Sequence, residues 1–456
     1  MSEENISEPK LLNLFIFNAT YGQKEGQEHE KILFYHPISQ NIDTQVRNIG
    51  LAEAITRFSS NFKKDGDCDC VHTQKTRQVF YQPEPEVWMV MTVGVGWVTK
   101  KRDTGPVREY QSEGVQDVVL RERLVSLYRS FTLQHASFNS VVATSGLEHL
   151  KSTLSTFINT YISSIDVSGG DILTVWSGVS FLPLDRQTFL RIHCCLSLLQ
   201  ASFPDISHTA FFYNHQVVWC GLCMEDLRSL SQYLNNHLLP GRVDITSSQT
   251  SSSTTSYLSR YRDPDCRFVG IGVTPFIRIH ISNGDGLLQP HHLLVYTLAG
   301  ATVCLTLPDS TKLTPSLYEK IDRVLEAKVS QLASDIGEQI NKKSAGSSSD
   351  GGGTGTFRYV YHNHMNLATK STAHGSGQSL PAEVMKTIVD MHIDMKKCRS
   401  GELVVKTSQD HWVVGRSGDG REFYVIVSHK NANLVEVTDE VNRMCASHFS
   451  NIFMVD

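Results

Sequence analysis

The chain has 456 residues, of which 40% are hydrophobic and 20% are charged, and its formal net charge is −5. This length is typical of about three domains, and the composition supports a packed core throughout. The mild charge gives no argument for nucleic-acid binding, and no apolar run approaches the roughly 18 residues of a membrane span. Residues 1–10 have no apolar stretch, so we expect a disordered terminus without a signal peptide. The ten cysteines show no framework spacing, which favours a reducing, cytoplasmic environment.

Hydrophobic patterning predicts an antiparallel α+β unit in the first third of the chain. Leu51, Ile55 and Phe58 have the spacing of the apolar face of a helix. Pro83 and Pro85 separate two strand candidates, and the segment around them is expected to be irregular. In chain order, the predicted elements are strands at 11–17 and 32–35, a helix at 46–62, strands at 76–81 and 87–95, a further strand near 107–110, and helices over 120–131 and 147–165.

The rest of the chain repeats this mixture of strands and helices. A Ser/Thr tract at 246–256 predicts a mobile loop, and the Gly/Ser segment 344–356 predicts a flexible linker. The predicted elements of the second region are a helix at 185–201, a hairpin at 210–220, a helix through 227–238, strands at 276–281 and 293–307, and a long helix from 315. Those of the third region are strands at 357–361, 402–407, 411–415, 422–428 and 434–437, a helix through 384–395, and a closing helix from 438 to about 449.

The predicted fold class is therefore α+β, with three consecutive units that each pack helices on an antiparallel sheet. Their predicted bounds are 11–166, 167–343 and 357–456.

The sequence contains no motif for covalent chemistry or for a cofactor. It has no phosphate-binding Gly-Lys-Ser loop and no nucleophile elbow. Cys220 and Cys223 form a single CxxC pair, whereas a structural zinc site normally has four ligands. His362 and His364 are followed by no carboxylate or thiol at ligand spacing. We therefore predict a protein that is not an enzyme and that needs neither a metal nor another cofactor.

Short basic clusters are the remaining candidates for a binding site. The simplest interpretation is a solvated surface. The alternative is a patch for anionic lipid headgroups, where each cation contributes about 1 kcal/mol. The candidate lipid-binding residues are Lys342, Lys343, Lys396, Lys397 and Arg399.

Several long segments carry a family resemblance that spans nearly the whole chain. In the first region they are GQEHEKILFYHP (26–37), RNIGLAEAI (47–55), HTQKTRQ (72–78) and WMVM (88–91). Further along they are SFLPLD (180–185), TAFFYN (209–214), NHMNLA (363–368), WVVG (412–415), KNANL (430–434) and NIF (451–453). With these segments the chain strongly resembles the Ccz family of vacuolar fusion proteins.

The resemblance implies three longin-type domains and a heterodimer with a Mon subunit. It implies a guanine-nucleotide exchange factor for the late-endosomal Rab of the Rab-seven class, acting on membranes that carry phosphatidylinositol 3-phosphate. It also implies a third regulatory subunit and roles in endosome maturation and autophagosome–lysosome fusion. The protein would be cytoplasmic and recruited peripherally to late endosomes, lysosomes and autophagosomes. The order of elements predicted for residues 11–165 is that of a longin domain.

The first longin domains of the two partners are expected to pair and to present a joint Rab surface. We predict that this chain contributes the start of its first helix and the segment 72–77 to that surface. The candidate Rab- or partner-binding residues are Arg47, Asn48, Glu53, Thr73, Gln74, Lys75 and Arg77. The alternative is a solvated helix face and an edge strand that serve only the Mon subunit. At the level of the whole protein, the alternative is a non-catalytic scaffold or tether in a lysosomal trafficking complex.

Overall fold

The structure of the chain is a computed structural model. It describes residues 6–61, 68–102, 105–111, 114–162, 165, 167, 170–239, 268–269, 277–282, 287–347, 357–374, 380–398, 400–428 and 432–448. Within these residues, no helix combines the length and the hydropathy needed to cross a bilayer. The mixed α+β fold class is confirmed, since antiparallel sheets and helices alternate along the chain.

A five-stranded antiparallel sheet with helices on both faces organises the first region. Phe15 and Phe17 point to one face with Ile49 and Ala52, and Leu14 and Ile16 point to the other, because neighbouring side chains alternate along a strand. The strands are β1 (Ile6–Ser7), β2 (Lys10–Asn18), β3 (Ile32–His36), β4 (Cys70–His72), β5 (Thr76–Glu84), β6 (Val87–Gly94), β7 (Trp97–Arg102) and β8 (Gly105–Tyr110). The helices are α1 (Ile42–Ser60), α2 (Asp117–His135), α3 (Phe138–Ser145), α4 (Leu147–Ile162) and α5 (Ile172–Trp176).

The sheet order is β3-β2-β6-β5-β4, and β7 and β8 form a separate small sheet with β1. Residues 6 and 7, which were assigned to a disordered terminus, therefore pair with β7. The expected break before Pro83 is wrong, because β5 continues to Glu84. A register shift between Tyr81 and Glu84 marks a bulge, which removes the proline from the hydrogen-bonded ladder.

The second region is also a helix-covered sheet, with the order β10-β9-β14-β13-β11 and β12 paired to β13. Its strands are β9 (His208–Tyr213), β10 (Gln216–Cys220), β11 (Phe268–Val269), β12 (Ile277–Ser282), β13 (Leu288–Leu298) and β14 (Ala301–Pro308). Its helices are α6 (Arg186–Ser202), α7 (Met224–Tyr233), extended by a π-helical turn, and α8 (Pro315–Ser347). The single strand predicted at 293–307 is a hairpin. Ala299 and Gly300 turn it at φ angles of 50° and 81°. The Ser/Thr tract at 246–256 lies outside the described residues.

The third region has the sheet order β16-β15-β19-β18-β17. Its elements are β15 (Phe357–Asn363), β16 (Ala368–Ser371), α9 (Ala382–Lys397), β17 (Gly401–Lys406), β18 (His411–Gly418), β19 (Arg421–Ser428) and α10 (Leu434–His448). The strand predicted at 434–437 is wrong, because α10 begins there. Asn433 Oδ1 accepts a 2.9 Å bond from the Glu436 amide, and Glu436 Oε2 accepts a 3.1 Å bond from the Asn433 amide. This reciprocal pair is a capping box, which starts a helix.

The described residues divide into two compact units. The first takes its residues from 1–132, 137–177 and 380–397, and the second from 133–136, 178–379 and 398–456. Helix α9 therefore groups with α5, where the rings of Trp176 and His392 lie 6.0 Å apart at their centroids. The predicted linker at 344–356 overlaps α8 through residue 347, and its remainder lies outside the described residues. The domain bounds predicted from the sequence stay a prediction.

Candidate functional surface

The outward face of α1 carries an unusual row of exposed side chains. Leu51 is 56% exposed and Phe58 is 67% exposed. Arg47 and Ala54 are exposed on the same face, since residues three, four and seven apart share one side of a helix. We call these four residues the α1 outer surface. Of the predicted apolar face, Leu51 and Phe58 therefore point away from the sheet, whereas Ile55 packs against the core.

Apolar and polar residues together form the buried face of α1. Ile49, Ala52, Glu53 and Thr56 are buried toward the sheet. An apolar stripe is normally the face that packs on the core. Leu51 and Phe58 lie outside this packed face and are exposed, and exposed apolar side chains are common where proteins contact one another. The helical spacing predicts one apolar face, whereas the structure divides these residues, with Ile55 packed on the core cluster and Leu51 and Phe58 exposed.

The predicted binding residues of α1 differ in what they contact. Arg47 is exposed, and its guanidinium donates to Thr44 Oγ1 at 3.2 Å on the same helix. Asn48 is half-buried and donates a 2.7 Å hydrogen bond to the Tyr35 hydroxyl in β3. Burial raises the pKa of that phenol, so it stays neutral. Asn48 therefore links α1 to the sheet, and Arg47 is the more accessible of the two.

Glu53 lies inside the domain rather than on its surface. Its side chain is 10% exposed, and its two oxygens pair with Lys31 and Arg57, each at 2.6 Å. The Lys31 side chain is itself only 13% exposed. This three-residue network connects α1 to the segment before β3. Removal of one partner of a buried ion pair lowers the stability of the fold, so we assign Glu53 to the structure of the domain.

The second predicted segment forms the turn between β4 and β5. Thr73 Oγ1 accepts bonds from the amides of Lys75 and Thr76 at 3.2 and 2.9 Å. The Val95 amide donates to the Lys75 carbonyl at 2.9 Å. The side chains of Gln74 and Lys75 are exposed. The turn is therefore a rigid projection with outward-pointing side chains, and Thr73 is part of its internal hydrogen bonding.

The two predicted segments lie on different elements of the first region. Helix α1 packs on one face of the sheet, where Ile49 and Ala52 share a hydrophobic cluster with Phe80 of β5. Arg77 pairs with His72 in the hairpin of β4 and β5, and β4 is an edge strand of the sheet. A partner protein that contacts both segments has to reach from this helix to that hairpin.

His72 makes a long-range contact that sequence reasoning missed. Its Nε2 lies 2.6 Å from Asp117 Oδ2, which joins the β4–β5 hairpin to the first residue of α2. The Cys70 thiol lies in the same cluster, with the three candidate ligand atoms within 4.8 Å of one another. Burial and the neighbouring Asp117 raise the pKa of the Cys70 thiol to about 11.

Cysteine, histidine and aspartate are all zinc ligands in proteins, but the distance between the His72 and Asp117 ligand atoms does not suit zinc. Ligand atoms around a tetrahedral zinc ion lie about 3.3 Å apart, given zinc–ligand bonds of about 2.0 to 2.1 Å. The shorter His72–Asp117 distance is that of a direct hydrogen bond. We therefore assign this cluster to holding the hairpin against α2.

The candidate lipid-binding lysines belong to two different units. Lys342 Nζ lies 3.5 Å from Glu338, and Lys397 Nζ lies 3.0 Å from Asp394. Lys396 is exposed at the end of α9. Arg399 lies outside the described residues, and only the helical backbone is described for Lys343. The lysines with described side chains thus carry local carboxylate partners or are solvated.

Three family models match successive parts of the chain. Residues 11–136 match "First Longin domain of INTU, CCZ1 and HPS4", residues 206–326 match "Intu longin-like domain 2", and residues 353–444 match "Intu longin-like domain 3". Three longin-like domains in series are therefore confirmed.

Curated relatives match the chain from end to end. A protein of Nematostella vectensis is 39% identical and one of Xenopus laevis is 36% identical, each over 98% of both chains. A protein of Dictyostelium discoideum is 28% identical over 98% of this chain and 99% of its own length. Each of these relatives is named "Vacuolar fusion protein CCZ1 homolog".

Proposed function

We propose that this chain, which belongs to the CCZ1 family of vacuolar fusion proteins, is one subunit of a heterodimeric guanine-nucleotide exchange factor. Its partner is a Mon subunit, and its substrate is the late-endosomal Rab GTPase of the Rab-seven class. The observation that carries the proposal is the end-to-end similarity to CCZ1 homologues, at 36–39% identity in two animals.

Exchange of this kind is a binding reaction. An exchange factor binds the Rab more tightly in a nucleotide-free conformation, and this difference in affinity accelerates the release of GDP. No nucleophile or metal of this chain takes part. What the chain supplies is a rigid surface, and the α1 outer surface and the β4–β5 turn are the parts of the first longin domain that we assign to it.

The exposed side chains of these surfaces are of two kinds, apolar and cationic, which suit different contacts. Leu51 and Phe58 offer apolar area of the kind found at the centre of protein interfaces. Arg47 and Lys75 offer exposed cations, which attract an acidic partner and fix its orientation. We assign the apolar row to the Mon subunit and the cations to the Rab.

Exchange by the reconstituted heterodimer tests this assignment. We expect Leu51→Asp to prevent co-elution with the Mon subunit. We expect Arg47→Glu and Lys75→Glu to leave the heterodimer intact and to slow GDP release about tenfold, a loss of ~1.4 kcal/mol of binding. Lys320→Glu, an exposed lysine on α8, is the matched control. Wild-type exchange by all assembled variants would contradict the proposed surface.

Recruitment to membranes is a separate part of the proposal. We assign the complex to late endosomes, lysosomes and autophagosomes, where a third regulatory subunit and contact with phosphoinositides hold it peripherally. For this chain, the exposed Lys396 and Lys397 supply cations. Flotation of Lys396→Glu/Lys397→Glu with vesicles containing phosphatidylinositol 3-phosphate should decrease. Unchanged flotation would assign lipid contact to other subunits.

A scaffold or tether is the second candidate function. It is favoured by Asn48 and Glu53, whose side chains contact their own domain and leave fewer of the predicted residues to reach a Rab. Fluorescent-GDP release distinguishes the two functions. An assembled complex that leaves GDP release at the intrinsic rate would identify a scaffold.

A further inference from the structure

A groove of about 750 Å³ runs between α6 and α8 on the outer side of the second longin domain. The two helices pack side by side on one face of the sheet, where Ile192, Leu196, Leu199, Leu325 and Val329 fill the core between them and the strands. The groove lies on the solvent side of this layer. Its lining includes no residue of the α1 outer surface or of the β4–β5 turn. The molecule that binds in the groove is therefore inferred separately from the exchange function.

Apolar side chains line the α6 side of the groove. Leu190, Cys194 and Leu198 follow one another at intervals of four residues, and the two leucines are 48% and 49% exposed. Leu332 of α8 closes the floor and is 4% exposed. The outward face of a surface helix is normally polar. A continuous apolar row beside a groove is typical of a protein-binding surface.

The charged residues that line the groove have one sign of charge. Arg186, Arg191 and Lys328 lie along it, and none of its described lining residues is acidic. Arg191 pairs with Asp335 of α8, which fixes the guanidinium at the edge. Arg186 is exposed and Lys328 is half-buried. The groove thus combines an apolar floor with a cationic rim.

We propose that this groove binds an acidic amphipathic helix of a partner protein. A helix-in-groove complex places apolar residues at helical spacing against such a floor. Acidic residues on the flanks of the helix would face the arginines and the lysine, so the charges are complementary. The distance from Leu190 to Leu198 along α6 is about 12 Å, which corresponds to a little over two turns of a bound helix.

An open groove fits a helix better than it fits a lipid. A lipid chain is best stabilised in an enclosed apolar cavity, because burial of its surface provides the affinity. The leucines of this groove are about half exposed to solvent, and a helix bound against them leaves its polar side in water. The cationic rim alone would attract an anionic membrane as well, so the experiment separates the two occupants.

Fluorescence anisotropy with the full chain and two designed peptides tests the proposal. Both probes are helical peptides of about 15 residues with leucines at i, i+3, i+4 and i+7. One has glutamates on the flanks, and the other has lysines at the same positions. We expect the glutamate peptide to bind at least about tenfold more tightly. Equal affinities for the two peptides would overturn the proposal.

Variants of the groove locate the binding site. Arg186→Glu/Lys328→Glu should reverse the preference between the two peptides, and Leu190→Asp should abolish the binding of both. Lys320→Glu, on α8 outside the lining residues, should change neither. Labelling the exposed Cys194 with a maleimide should block the glutamate peptide even if the leucine variant fails to fold. Binding that survives this label would contradict the site.

Two further measurements test whether the groove binds a membrane or a second copy of this chain instead. If vesicles of phosphatidylserine bind through Leu190 and the glutamate peptide does not compete with them, the groove is a membrane site and the proposal is wrong. If the chain alone forms a dimer that Leu190→Asp dissociates, the occupant is a second copy. We expect neither result.

Discussion

The backbone amide of Val179 donates a 2.8 Å hydrogen bond to the carbonyl of Leu367, between two segments that are far apart in the sequence. The amide of Thr369 donates in return to the carbonyl of Val179 at 2.9 Å. Two residues further along, Phe181 pairs in parallel with Val217 of β10. One short segment therefore connects the second sheet to the third through main-chain hydrogen bonds.

The backbone of Gly178 lies so close to the third sheet that this connection has no space for the methyl side chain of an alanine. A Cβ atom there would lie 1.7 Å from Thr369 Oγ1 and 3.0 Å from the Leu367 carbonyl oxygen. We expect Gly178→Ala to lower the free energy of unfolding by about 1–3 kcal/mol. Gly50→Ala is the control, since that glycine lies inside α1 with no atom within 4 Å, and it should raise stability by about 0.5–1 kcal/mol. Urea unfolding of both variants measures the difference, and equal midpoints would contradict the bridge.

We expect substitution of Glu53 to lower the stability of the first domain rather than to remove a direct contact with a partner protein. Glu53→Ala leaves the buried ammonium of Lys31 without its carboxylate, and we expect a loss of about 3 kcal/mol. Arg57→Ala removes the exposed partner of the same carboxylate, and its expected cost is below about 1 kcal/mol. Thermal unfolding of both variants tests this. A stable Glu53→Ala protein that has lost only Rab binding would instead support its assignment as a contact residue.

Local patterns predicted most elements of this fold because they depend on neighbours in the sequence. The hairpin predicted at 210–220 is present, and its turn has positive φ angles at Asn214 and His215, as two-residue hairpin turns often do. The same patterns did not tell which side of α1 faces the sheet. Leu51 and Phe58 have a regular helical spacing, and only packing against the strands shows that Ile49 and Ala52 occupy the buried side.

Several contacts that shape the first region join residues distant in the sequence. His72 and Asp117 are 45 residues apart, and Glu84 and Phe138 are 54 residues apart. Neither pair has a local signature, since each partner alone is an ordinary polar or apolar residue in its own element. The sequence predicted the helix that Asp117 begins, but not β4, α3 or the end of β5 at Glu84, and the tertiary fold determined each partner.

Thiol reactivity should differ sharply between Cys194 and Cys70. Cys194 is exposed, whereas burial and Asp117 raise the pKa of Cys70 to about 11. Only the thiolate reacts with disulfide reagents, and at pH 8 about one Cys70 in a thousand is ionised. We expect Cys194→Ser to remove part of the fast phase of the reaction with a disulfide reagent and Cys70→Ser to leave that phase unchanged. Loss of the fast phase in Cys70→Ser would show that Asp117 does not suppress the thiolate.

Glu84 ends β5 and holds the start of α3. Its Oε1 accepts from the Phe138 amide at 2.5 Å and from the Tyr128 hydroxyl at 2.8 Å, and its Oε2 accepts from the Asn139 amide at 2.9 Å. A buried carboxylate at a helix N-terminus satisfies amides that have no partner within the helix. Burial and the nearby Glu84 raise the pKa of Tyr128, so the hydroxyl keeps its proton and donates it to this carboxylate.

We therefore expect Glu84→Gln to destabilise the first longin domain by about 2–3 kcal/mol, because the new amide group brings N–H donors toward amides that also donate. Glu86→Gln is the matched control: it is exposed two residues further along, and its expected change is within about 0.5 kcal/mol. Hydrogen exchange localises the effect, with faster exchange expected at the amides of Phe138 and Asn139. If Glu84→Gln leaves these amides as protected as in the wild type, the carboxylate does not hold the start of α3.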